Sequence, residues 1–108
     1  MSWRVDFLKE AENDMNALDG SAKKQVDAAI LKVSQNPLPK NEGGYGNALG
    51  NKHDHNLTGL CKIKLLKLGI RVVYKLIREN EVMNIVVVAA RADEEIYKIA
   101  AKRSQVNK

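Results

Sequence analysis

With 108 residues, 44% of them hydrophobic and 29% charged, the chain has the size and composition of one globular domain over residues 1–108, not of a disordered segment. Its longest apolar stretch, residues 85–90, is far short of the ~20 residues that cross a bilayer. Acidic side chains interrupt residues 1–13 where a signal peptide would be apolar, and the single Cys61 excludes an internal disulfide, so a cytoplasmic location is expected.

The formal net charge of +5 is unevenly spread. Residues 1–61 hold seven Lys/Arg against eight Asp/Glu, and residues 62–108 hold eleven against five. A positive field confined to the second half suggests a polyanionic partner, most often nucleic acid. A solvated basic face with no partner would have the same composition.

Residues 3–7 alternate apolar with polar, the period of a half-buried strand. Leu8, Ala11, Met15 and Leu18 then recur at helical spacing, with Gly20 as the expected stop. Ser21 is the expected N-cap of a second helix whose stripe is Ala22, Val26, Ala29, Ile30 and Val33. Asn36–Pro37 ends it, because proline pushes the preceding residue out of the helical region. So short a connection predicts an antiparallel helical hairpin. Residues 38–59, rich in Gly and Asn, read as an ordered surface loop, long enough to suggest a function of its own. Residues 61–67, 70–78 and 82–90 read as three strands, joined at Gly69 and around residues 79–81. Asp93 is the expected N-cap of a final helix, with Glu94 and Glu95 at its positive end and Lys102 and Arg103 at its negative end. The order β-α-α-β-β-β-α predicts an α+β fold. In it a helical hairpin and a C-terminal helix cover one face of a mainly antiparallel four-stranded sheet.

Strand alternation sends Lys62 and Lys64 to one face and Ile63 and Leu65 to the other. With Leu68–Gly69 as a two-residue turn, Lys62 faces Lys75, Lys64 faces Val73 and Leu66 faces Arg71. That register gathers Lys62, Lys64, Arg71 and Lys75 on a single face, whereas a three-residue turn would send Arg71 to the opposite one. Like charges across strands cost tenths of a kcal/mol to about 1 kcal/mol each, a cost that a bound anion would explain. Arg91 adds a cation at the exit of the most apolar strand. Tyr97, six residues on, suits stacking on an unpaired base, a contact worth ~1–3 kcal/mol. By residue pattern alone it fits the core better, since Ile96, Tyr97 and Ala100 share a helix face. Tyr74 belongs to the core. His53–Asp54–His55 has no obvious further His or Cys ligands, so it reads as loop and no metal is expected. Gly43–Gly44–Tyr45–Gly46 lacks the strand and the Gly-Lys-Ser/Thr of a phosphate loop. Cys61 reads as a packed thiol.

The segments LTGLCKIKL, GIRVVYKL and VVVAARADEEIYKIAAKR, after a helical hairpin ending in Asn-Pro, resemble the RelE/ParE superfamily of bacterial toxins over nearly the whole chain. ParE-like members act on DNA gyrase and generally lack the paired lysines and the Arg-to-Tyr pattern. RelE-like members have both, and are ribosome-dependent nucleases that cut messenger RNA in the A site. The resemblance thus implies an endoribonuclease that inhibits translation, with a cognate antitoxin, the ribosome and mRNA as partners, and no cofactor or membrane. It implies catalytic roles for Lys62 and Lys64 in the K-x-K strand, Arg71 opening the next strand, Arg91 after the last one, and Tyr97 in the final helix. Lys75 and Lys98 are expected to add RNA-binding charge. The implied chemistry is attack of the RNA 2′-OH on the adjacent phosphate without a metal, with a lysine as base. Such a base works only where neighbouring cations favour its neutral form. A gyrase inhibitor and a non-catalytic RNA-binding module on the same scaffold are the alternatives. Three features depart from the family pattern: Cys61 where an aromatic is common, Asp93 where some members have a basic residue, and the longer 38–59 segment.

Overall fold

The computed structural model describes residues 2–52 and 55–106. In chain order they form β1 (Arg4–Phe7), α1 (Lys9–Asn16), α2 (Gly20–Ser34), a 3-10 turn (Lys40–Glu42), β2 (Asn47–Lys52), β3 (His55–Leu65), β4 (Ile70–Ile77), β5 (Val82–Ala89) and α3 (Asp93–Val106). The strands make one sheet in the order β1-β5-β4-β3-β2, parallel between β1 and β5 and antiparallel elsewhere. The fold is α+β as the periodicity predicts, with five strands and not four.

The helical hairpin lays Ala11 and Met15 of α1, and Ala22, Val26, Ile30 and Val33 of α2, against the sheet. Its junction differs by two residues from the expectation. Asp19, not Ser21, is the N-cap, its carboxylate accepting the Ala22 N–H at 2.8 Å. Gly20 opens α2 instead of ending α1. An aspartate one position before the first helical residue satisfies an orphan amide, which Ser21 inside the first turn does not.

The sheet is covered on both faces, which corrects the expectation of helices on one. Ile70, Val72 and Tyr74 of β4 pack with the α1–α2 hairpin. Val73, pointing the opposite way, packs with Ile96, Tyr97, Ala100 and Ala101 of α3. A register shift between Val73 and Tyr74 sets Val86 beside Val87 on the α3 side, which widens the surface α3 lies on. The α3 helix is further tied down by Arg103, which donates to Asp14 of α1 at 2.7 Å and to the Val86 carbonyl at 2.9 Å.

Of residues 38–59, which composition suggests are loop, 38–46 are loop around the 3-10 turn, whereas 47–52 and 55–59 are strand. Leu49 and Leu57 are buried, and β2 pairs with an extended β3. Asn and Gly are poor strand formers, so β2 exists because the long β3 presents an open edge whose backbone groups need partners. The part before β2 is pinned from below: Tyr74 Oη, fully buried, donates to the Pro37 carbonyl at 2.7 Å, and Arg78 holds Glu42 through two bonds at 2.8 and 2.9 Å.

The β3–β4 connection decides the site. The strands pair Lys62 with Val73, Lys64 with Arg71 and Leu65 with Ile70, two residues from the expected register, so four residues, Leu66 to Gly69, form the turn. A two-residue hairpin would need a positive φ at Leu68, and only Gly69 has one, at 67°. A shift of two preserves parity. Lys62, Lys64, Arg71 and Lys75 still leave the same face, the one that carries α3.

Candidate functional site

The end of α3 that follows Arg91 lies over this basic face. Lys62 and Arg71 are each about 18% exposed, held at the rim of the core packed beneath α3. Lys62 Nζ donates to Tyr97 Oη at 2.8 Å and lies 5.4 Å from the centre of the tyrosine ring. Tyr97 is 3% exposed, so its ring belongs to the core while its hydroxyl reaches the cationic rim. The core placement that the helix pattern favours and the proximity to the lysine strand both hold.

Asp93 is the residue whose position the sequence did not disclose. It is the first residue of α3, and Ala92 occupies the cap position, its carbonyl accepting the Ile96 N–H at 3.0 Å. The Asp93 side chain, expected to cap the helix, turns instead into the cationic cluster. One oxygen meets Arg71 Nε and the other lies 3.7 Å from Lys62 Nζ. Burial pushes the Asp93 carboxyl up, but the pull of Lys62, Arg71 and Lys64, with the Arg71 contact, outweighs it and leaves it below the ordinary carboxylate value. Its negative charge offsets the like-charge repulsion between Lys62 and Arg71.

Arg71 bridges further, donating through Nη1 to the Arg91 carbonyl at 2.6 Å. The backbone of Arg91 is thereby tied to β4, while its guanidinium, about half exposed, pairs with Glu95 one helical turn on. The geometry therefore joins Lys62, Arg71, Asp93 and Tyr97 directly. Lys64 stands exposed across the strand pair from Arg71. Lys75 shares the face but sits opposite Leu60, further along the strands, and Lys98 is exposed on α3. A run of charge-free strand followed by A-R-A-D was the one available signal for Asp93, and it equally fits a helix cap.

Among the described residues, no group of three or more His, Cys, Asp or Glu side chains is placed to hold a metal ion. His53 and Asp54 lie outside the described residues. Cys61 is buried, and burial pushes its thiol up, in keeping with a packed residue. No described helix is long and apolar enough to cross a membrane.

A helical hairpin and a C-terminal helix on opposite faces of a five-stranded sheet, with cations and a tyrosine meeting under the last helix, define a small α+β scaffold with a basic, anion-binding type of site. No family model matches the chain. It is 26% identical over 103 residues to a putative RelE-like toxin protein of Escherichia coli, covering 95% of this chain and 98% of that one. Among solved structures it is similar to an arginine-to-alanine double mutant of E. coli toxin RelE in the free state, with a TM-score of 0.76, 26% identity, and coverage of 95% and 98%. The same mutant in complex with an antitoxin RelB peptide matches with a TM-score of 0.70, 26% identity and the same coverage. In sequence and in fold the chain is thus similar to RelE-type toxins over nearly its whole length.

Proposed function

We propose that the protein is a ribosome-dependent endoribonuclease that cleaves mRNA in the A site and is held in check by a cognate antitoxin. The observation that carries this reading is the Lys62–Tyr97 hydrogen bond beside Arg71. It is a cation–hydroxyl–guanidinium arrangement at the rim of an otherwise apolar layer, with no packing purpose for its charges. The site would act on a phosphodiester as follows. Lys64, exposed and across from Arg71, takes the proton of the RNA 2′-OH, whose oxygen attacks the adjacent phosphorus. The P–O5′ bond breaks, and Lys62 supplies a proton to the departing 5′-oxygen, leaving a 2′,3′-cyclic phosphate and a 5′-OH. Arg71 and Arg91 stabilise the extra negative charge as donors preorganised before the reaction. Tyr97 orients Lys62 through its hydroxyl. Lys75 and Lys98 extend the positive surface toward neighbouring phosphates. The ribosome, in this reading, splays the message into in-line geometry and localises the toxin to the cytoplasm.

Two observations support the antitoxin. The related E. coli toxin is seen with an antitoxin RelB peptide, and an exposed basic face suits an acidic partner. Incubation with translating ribosomes and a defined message, followed by mapping of the RNA ends, tests the proposal. Cuts within the A-site codon, bearing cyclic phosphate, are expected. Intact RNA together with inhibited gyrase supercoiling would replace this reading with the gyrase one.

A further inference from the structure

We infer that Asp93 is an internal occupant of the phosphate site, a carboxylate that holds the place of the substrate anion and thereby sets the affinity of this toxin for RNA. The inference rests on the proposed function in taking the ligand to be an RNA phosphate, but its geometry stands independently. Phosphate recognition by arginine uses two parallel N–H donors, and the fork that includes Nε is one of the two such edges. On Arg71, Nε already meets Asp93, and Nη1 is committed to the Arg91 carbonyl. The other oxygen of Asp93 reaches toward Lys62 Nζ. One carboxylate thus spans the two most enclosed cations of the cluster with two oxygens, as a phosphate would.

Three properties make this occupancy reversible. Asp93 is on the first turn of α3, about one third exposed, so its side chain can swing toward water without moving the helix. Its ordinary capping role is unfilled, and the amides at the α3 N-terminus remain an alternative partner for the displaced carboxylate. Lys62 and Arg71 keep other anchors, Tyr97 Oη and the Arg91 carbonyl, when Asp93 departs. An incoming phosphate therefore meets a preformed but occupied site, and must displace the carboxylate or bind beside a like charge. Displacement lowers the apparent affinity by the fraction of time the site is open, and binding beside the carboxylate lowers it by like-charge repulsion.

The test is binding of inorganic phosphate and of a 2′-deoxy-substituted RNA oligonucleotide, which cannot be cut, to the wild type and Asp93→Asn. Removing a like charge at contact range from a partly exposed site raises affinity by about 10- to 100-fold. Tighter binding of both ligands by Asp93→Asn supports the inference, whether or not either protein cuts RNA on ribosomes. Unchanged or weaker binding by a folded Asp93→Asn overturns it, even if ribosome-dependent cleavage is robust. Failure of the nuclease proposal and failure of this inference are therefore read separately. Should Asp93→Asn not fold, the wild type answers alone through the carboxyl carbon signal of Asp93. Phosphate that evicts the carboxylate removes its cationic partners, so its titration midpoint moves up toward the ordinary aspartate value. A midpoint unmoved by saturating phosphate means that anion and carboxylate do not compete.

Discussion

Tyr97 carries two roles on one side chain, and two substitutions separate them. In Tyr97→Phe the ring stays in the core and only the hydroxyl that accepts from Lys62 at 2.8 Å is lost. A hydrogen bond to a charged group is worth about 1.5–3 kcal/mol, but Lys62 keeps Asp93 nearby and has access to water, so folding should lose roughly 1 kcal/mol or less. If the same bond orients Lys62 during cleavage, its full value falls on the transition state and the rate drops by about 10- to 100-fold. Tyr97→Ala instead empties a site that is 3% exposed, among Ile96, Ala100, Val73 and Val87. Aromatic-to-alanine changes in such surroundings cost ~3–5 kcal/mol, a large part of the stability of a domain this size. Urea melts of both variants, beside single-turnover cleavage on programmed ribosomes, make the measurement. Phe at 97 should melt near the wild type and cut slowly, while Ala at 97 should be inactive because it is unfolded or nearly so. A Tyr97→Phe protein that cuts at the wild-type rate would refute the role given to the Lys62–Tyr97 bond. A Tyr97→Ala protein of wild-type stability would refute the packing on which the dual role depends.

The two arginines should differ in a way that residue type does not suggest. Both Arg71→Ala and Arg91→Ala are expected to slow cleavage ~100- to 1,000-fold. Only Arg71→Ala should also lose about 1–3 kcal/mol in a denaturant melt, since Arg71 ties β4 to the α3 connection through the Arg91 carbonyl, whereas Arg91 has only a surface pair with Glu95. Equal melting of the two variants would remove that bridge. Lys64→Arg keeps a cation that does not release its proton near neutral pH, so RNA affinity should hold while cleavage is lost; full activity would show Lys64 to be a cation only. Asp93 titrates below its ordinary value in the fold, so its contribution to stability is fully present above the unfolded value and fades as pH falls through the folded one. The stability gap between wild type and Asp93→Asn should therefore be flat from neutral pH down to about 5 and close below about 4. A gap that changes between pH 6 and 8 would point to another group.

Alternation in sequence was enough to settle which face the cations share. Side chains in strands repeat every two residues, so Lys62, Lys64, Arg71 and Lys75 stay together under any even shift of register. The turn of four residues in place of two moved every partner and disturbed none of the faces. The stripes of α1 and α2 were legible for a similar reason: burial of an amphipathic helix follows its own periodicity. What an amphipathic helix does not encode is the face of the sheet it will cover, and α3 was free to choose until the widened valine surface of β5 was built opposite the hairpin. The same limit hid β2. Asn47, Gly50 and Asn51 have no intrinsic preference for a strand, and pair only because an unpaired edge of β3 lies beside them. Asp93 shows the limit most sharply. Beside a helix start, a short carboxylate satisfies the amides of its own turn by default, and that local rule is all the chain order contains. Only when α3 settles across β3 and β4 do Lys62 and Arg71 come within reach, and two cations at the rim of an apolar layer outbid a solvated helix end for the charge.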